Sequence, residues 1–251
     1  SPARAGSLRG GCPVRPPARP HFSNRCGQPL NMAVKKRKSA EVRRHDIIEA
    51  AMEIIRHQGV AKLTTRSLSK AVGIAQPTLF LHFGNKSHVL VALVDTIQER
   101  LQKEMAGLGL AQLTPLERLK AVIRAHLDFI QKQPGIPRLL FSEELQSGDP
   151  IFRERMNELV QFFLQFIASL IGAAQDRGEI RTDIVPQQNA CILIAAVQGL
   201  AFRWILSDHR FDLVEQADAV ILTLIEGWAP RVRTGPVGRR GADSAVSQQS
   251  G

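Results

Sequence analysis

Thr65, Arg66, Gln76 and Thr78 have the residue types and the spacing to read the edges of nucleic-acid bases. An arginine can grip guanine O6 and N7 with two hydrogen bonds, a glutamine can do the same with adenine N6 and N7, and a threonine methyl can meet that of thymine. Cationic groups flank them: the run Lys35-Lys36-Arg37-Lys38, then Arg43, Arg44 and, on the far side, Lys86. Such groups suit phosphates, and a basic run just ahead of the readers can serve as an arm along the backbone or minor groove. Other chemistries find no constellation. There is no Gly-rich phosphate loop, nucleophile elbow or HExxH, and the adjacent Glu143 and Glu144 point to different sides of a helix. An enzyme is therefore not expected, nor a cofactor, a catalytic residue or a metal site. Three cysteines, Cys12, Cys26 and Cys191, with no CxxC, argue against a disulfide scaffold and a zinc finger. Cys191 reads as a small buried hydrophobe.

The elements that must position these residues are helical. Apolar residues recur at 3.6-type spacing, and β-type alternation is absent beyond a few residues. Ile47, Ile48, Ala51, Ile54 and Ile55 mark a first helix that Gly59 stops. A short second helix starts near Thr64-Thr65 and ends before Gly73. Ala75 to Phe83 make a third, with Pro77 in its first turn, where the missing N–H costs nothing. The turn Val72-Gly73-Ile74 joins the two as a helix-turn-helix, with Leu68, Ile74 and Leu79 burying the junction. A long helix from about Lys86 to Met105 follows. Thr114-Pro115-Leu116-Glu117 opens the next, Pro137 a short one through Leu145, and Asp149-Pro150 a long one ended by Gly178. Pro186 opens a helix to about Leu206, apolar nearly all round and so expected to be buried. Asp212 caps a last one ending near Trp228. The fold class is all-α, about nine helices.

Charge divides the chain in the same way. Residues 32–86 hold 11 basic groups against 4 acidic ones, a net +7, whereas residues 87–230 hold 13 against 18, a net −5. A small polyanion-binding unit attached to a body that binds something else is the implied organisation. Residues 1–31, with six of the 14 prolines and five arginines, read as a non-structural upstream extension before a natural start at Met32, and residues 231–251 as a disordered tail. The longest uninterrupted apolar run, Ala190 to Val197, has eight residues, far short of the ~20 a membrane span needs. No membrane association is expected, and the chain is read as cytoplasmic.

The string Leu-Thr-Thr-Arg-Ser-Leu-Ser-Lys-Ala-Val-Gly-Ile-Ala-Gln-Pro-Thr-Leu-Phe-Leu-His-Phe-Gly-Asn-Lys at 63–86 resembles the DNA-binding signature of the tetracycline-repressor family of bacterial regulators. The specific likeness covers about 45–105. It implies a three-helix helix-turn-helix DNA-binding domain at 32–86 and a helical effector-binding and dimerisation domain at 87–230. Carried over by position, Thr65 and Arg66 stand at the start of the second helix, Gln76, Pro77 and Thr78 lie in the major groove, and Phe80, His82 and Lys86 face the sugar-phosphate backbone. Position 80 departs from the family's usual tyrosine, since the chain has no tyrosine at all. Phe80 can pack against a sugar or a thymine methyl but cannot donate to a phosphate. Leu81 is also less polar than is usual there.

The resemblance further implies a homodimer on a palindromic operator, its subunits joined through the last two helices as a four-helix bundle. It implies a small-molecule pocket as well. Phe129, Leu140, Phe141, Met156, Phe163 and Phe166 are candidates to line it, with His126, Gln198 or Arg203 as orienting polar groups, and no one of them is assigned to a ligand. The expected function is that of a transcriptional repressor released from DNA by a small apolar or aromatic effector. The alternative is a DNA-bound member of the family whose body recruits a protein, in the manner of nucleoid occlusion, suggested by the stretch Gln-Pro-Gly-Ile-Pro-Arg at 133–138.

Overall fold

The computed structural model describes residues 39–230, and every regular element among them is helical. The Lys35–Lys38 arm, Cys12, Cys26 and the two terminal extensions lie outside the described residues. Helix α1, Ala40–Gln58, begins where the Ser39 hydroxyl accepts the Val42 N–H and ends at Gly59, whose φ of 83° is open to glycine at little cost. Helix α2, Thr65–Val72, starts with a reciprocal cap: the Thr64 hydroxyl accepts the Ser67 N–H at 3.0 Å and the Ser67 hydroxyl accepts the Thr64 N–H at 2.9 Å. It stops at Gly73, left-handed at φ 70°, ψ 39°. Helix α3, Gln76–His82, carries Pro77 in its first turn, and α4, Lys86–Ala106, is capped by Asn85, which accepts the His88 N–H.

The body consists of α5, Pro115–Lys132, opened by a Thr114/Glu117 capping box; α6, Gly135–Leu140; α7, Glu143–Ser147; α8, Pro150–Asp176; α9, Pro186–Leu206; and α10, Gln216–Val220. Helix α8 packs against α4, α5 and α9, and Leu90, Leu93, Leu119, Ile123, Leu127, Phe152, Ile171 and Leu193 are fully buried between them. Helix α1 packs on both α4 and α6, so head and body share one layer of contacts.

Four expectations are corrected. The single helix expected over 137–145 is two. The Phe141 N–H returns to the Pro137 carbonyl, while the Ser142 hydroxyl accepts the Leu145 N–H, so Phe141 and Ser142 separate the end of α6 from the start of α7. The last helix does not run evenly from Asp212 to Trp228. Asp212 caps a turn by accepting the Val214 and Glu215 N–H groups, α10 begins only at Gln216, and the chain widens to a π-helical turn over Ile221–Ile225 before a 3-10 turn at Glu226–Trp228. Helix α9 is not buried all round. Leu193, Val197 and Trp204 face the core, but Ile192 is 54% exposed and Leu206 69%, because α5, α6 and α8 cover a single side of the helix. Cys191, beside Ile192, is exposed with it rather than buried.

Candidate nucleic-acid interface and the cavity of the body

Leu68 on α2, Leu79 on α3 and Phe83 just after it are buried, with Ile74 half-buried in the turn between the helices. Burying those four apolar side chains sets the angle between α2 and α3 and turns the polar positions outward. Arg66, Gln76, Pro77 and Phe80 are exposed, and Thr65, Thr78, His82 and Lys86 are half-buried around them. An arginine at position 66 could be tied to Glu53 of α1 instead of meeting a base. In the fold Glu53 is held on its own helix by Arg56 at 3.0 Å and by His57 at 3.2 Å. Ser69, the one buried polar side chain among the described residues, donates to the Thr65 carbonyl at 2.5 Å and so stays inside the helix. Phe80 is 48% exposed and Leu81 85%, so α3 presents hydrocarbon next to its polar residues.

Three cations near this surface do more than the sequence suggested. Arg44, grouped with the phosphate contacts, lies with its guanidinium 4.3 Å above the Phe83 ring and donates to the His82 carbonyl at 2.6 Å. It ties α1 to the end of α3 and so orients that helix. Lys86 donates to a Glu144 carboxylate oxygen on α7 at 2.7 Å, with both side chains about 30% exposed. Any phosphate must compete with that carboxylate for the ammonium group. Arg100 on α4 pairs with Glu49 on α1 and reaches Gln133 beyond α5, which clamps the head to the body. No sequence signal announces these pairs, since 33 to 58 residues separate the partners.

Behind the head, α4, α5, α6, α8 and α9 surround a cavity of about 80 Å³. Phe129, Leu140, Met156 and Phe163 line it as expected, with His126 and Gln198 as its polar members, together with Ile97 and Leu101 of α4. Three other candidates lie elsewhere. Phe141 stacks edge-on with Phe202 at 5.0 Å in a surface groove, Phe166 sits behind Phe163, and Arg203 borders a shallow groove between α9 and α10. Burial pushes the His126 imidazole down from its usual 6.5 to about 4. The residue as a whole is half-buried, but its Nδ1 is closed off from water, and the loss of hydration is the cause of the shift.

Comparison with known proteins agrees with this architecture. Residues 47–93 match the family described as bacterial regulatory proteins, tetR family, and residues 87–227, more than half of the chain, match the C-terminal region of YsiA-like proteins. Among curated relatives, the nucleoid occlusion factor SlmA of Vibrio atlanticus is 25% identical over 70% of this chain and 91% of its own length. The fatty acid metabolism regulator protein of Bacillus subtilis is 23% identical over 72% of this chain and 93% of its own. Among solved structures, the fatty acid degradation regulator FadR of Bacillus halodurans superposes with a TM-score of 0.64 at 20% identity, covering 78% of this chain and all of that one. FadR of Bacillus subtilis in complex with stearoyl-CoA superposes at 0.62 and 22%, covering 73% of this chain and 98% of that one. With a helix-turn-helix head, an all-helical body and family matches over both, the chain belongs to the tetR family of bacterial regulatory proteins and is a DNA-binding transcription regulator.

Proposed function

We propose that this regulator is a homodimeric repressor that leaves a palindromic operator when a small apolar molecule enters the body. The observation that carries the reading is the cavity, walled by apolar side chains apart from His126 and Gln198 and sharing Ile97 and Leu101 with α4, the helix whose first residue, Lys86, abuts the head. A ligand wedged there tilts α4 and changes the spacing of the two heads. Both half-sites must be met at once, about 34–36 Å apart, so a shift of a few ångströms breaks the register. The dimer is supported by exposed Ile192, Phe202 and Leu206 on α9 and by Leu222 just beyond α10, an apolar face on the last helices. In each subunit Arg66 and Gln76 are the base readers, Thr65, Pro77 and Thr78 complete the major-groove surface, and Phe80, His82 and Lys86 lie along the backbone. The role is binding rather than catalysis, in the cytoplasm where the operator is. Two similar structures hold acyl-CoA esters, stearoyl-CoA in the Bacillus subtilis protein and lauroyl-CoA in FadR of Thermus thermophilus, which fits an effector with a hydrocarbon portion.

The test is a titration of apolar compounds against a preformed operator complex, with the head-to-head distance read between spin labels at position 70. Release of DNA together with a change in distance is expected. A ~100-fold preference of the effector for the released spacing equals ~2.7 kcal/mol of coupling, and by reciprocity operator DNA weakens effector binding by the same factor. The second reading, recruitment of a protein by the DNA-bound body, is favoured by the likeness to the nucleoid occlusion factors. It replaces the first if no compound releases DNA, the distance stays constant, and a protein partner binds the body.

A further inference from the structure

His126 is an anomaly within the cavity. It is carried by α5, with its ring 4.4 Å from that of Phe163 and tilted by 35°. Its Nδ1 is closed off from solvent and meets no hydrogen-bonding group among the described residues. A buried polar atom left unmet is costly and rare, and calls for an explanation. The side chains lining the cavity are otherwise hydrocarbon, apart from Gln198, and none of them carries a charge. With no partner among the described residues to choose its tautomer, the ring can carry its proton on either nitrogen and so offer a donor or an acceptor.

We propose that His126, seconded by Gln198, is the polar anchor of the effector site, and that the effector bears a neutral hydrogen-bonding group, such as a hydroxyl or an ester, thioester or amide carbonyl, on an apolar body. This rests on reading the cavity as the effector site. A plain hydrocarbon leaves the imidazole unmet. A free carboxylate enters a space without a cation and loses its hydration, unless His126 takes up a proton that burial has made hard to hold. An ammonium ion meets no anion there. The imidazole and the Gln198 amide are the neutral hydrogen-bonding groups that the lining offers such a ligand.

The experiment uses the full chain at pH 7.5 and four probes of one skeleton: butylbenzene, 4-phenylbutan-1-ol, methyl 4-phenylbutyrate and 4-phenylbutyrate. Calorimetry gives each affinity for the native protein, for His126→Phe, which keeps an aromatic ring of similar size, and for His126→Gln, which restores a donor and an acceptor. The alcohol and the ester are expected to bind about tenfold more tightly than butylbenzene and than the carboxylate. His126→Phe removes the preference over butylbenzene, and His126→Gln recovers part of it. On the native protein alone, the side-chain ¹⁵N resonances of His126 shift when the alcohol is added and stay put with butylbenzene. Equal affinity for alcohol and hydrocarbon, a preference that survives in His126→Phe, or tightest binding of the carboxylate overturns the proposal while leaving the effector site in place. If none of the four probes binds, the effector reading of the cavity falls and the proposal falls with it.

Discussion

The head and the last helices leave opposite kinds of surface unfinished. On α2 and α3 the apolar residues are consumed at the junction, by Leu68, Leu79 and Phe83, and what faces outward is Arg66, Gln76 and Thr78. On α9 and just beyond α10 the core takes Leu193, Val197, Trp204 and Ile225, and enough hydrocarbon remains to expose Ile192, Phe202, Leu206 and Leu222. A polar face with a net positive charge suits a hydrated polyanion, which is met through hydrogen bonds and counterion release. An apolar face suits another apolar face, and the second copy of the chain supplies one of the same shape. The difference also separates rigidity from adaptability. The head is clamped by Arg44 and Arg100, whereas the body holds a cavity of about 80 Å³ among α4, α5, α6, α8 and α9.

The largest expected effect comes from charging the apolar face. Ile192→Glu together with Leu222→Glu is expected to give a monomer by light scattering and to lower operator affinity by roughly 10²–10⁴, because two linked heads are reduced to one. A dimer that survives both substitutions breaks the comparison. Next is the pH dependence of stability set by His126. No charged side chain lines the cavity around it. Its folded-state value, about 4, lies below the 6.5 of the unfolded chain, so between these the unfolded state binds more protons and stability falls on acidification. The loss is at most about 3 kcal/mol from pH 6.5 down to 4, and is absent above 6.5. Urea melts of the native protein and of His126→Phe across that window are expected to diverge as the pH falls, with the variant the flatter.

Smaller effects probe the polar face. Arg66→Ala or Gln76→Ala is expected to cost ~1–3 kcal/mol per half-site on operator DNA and to relax the sequence preference, with little change on random DNA. Equal losses on both kinds of DNA would falsify the base-reading role. The smallest effect concerns the Lys86–Glu144 pair. Glu144→Gln frees the ammonium group and is expected to tighten binding to all DNA by up to ~1 kcal/mol, steepening the salt dependence by about one phosphate per subunit. Lys86→Ala in the Glu144→Gln background should cancel that gain. If the double variant keeps it, the carboxylate acts through something other than Lys86.

The helix boundaries of the head were legible because each depends on a local event. Thr64 and Ser67 cap one another three residues apart, Gly73 takes a left-handed conformation at one residue, and Pro77 falls in the first turn of α3. The same holds for Thr114 with Glu117 and for Asp149 before Pro150. A hydrogen bond over three residues is written in the residues themselves, and so was the exposure of Arg66 and Gln76, by the spacing of Leu68 and Leu79 on the opposite face.

Other features depended on what comes from far along the chain. Arg44 looks like any surface cation until Phe83 is placed under it, and Lys86 until Glu144 arrives from α7. Phe141 and Phe163 are equally good pocket candidates in the sequence. Phe163 ends in the cavity and Phe141 in a surface groove because α6 stops at Leu140 and Phe141 follows it. For α9 the apolar composition stated that the helix must be covered, but not by what. Hydrophobic burial has no direction and no sequence partner, so only the packed structure shows that one side of α9 is met by its own chain and that the other side stays exposed.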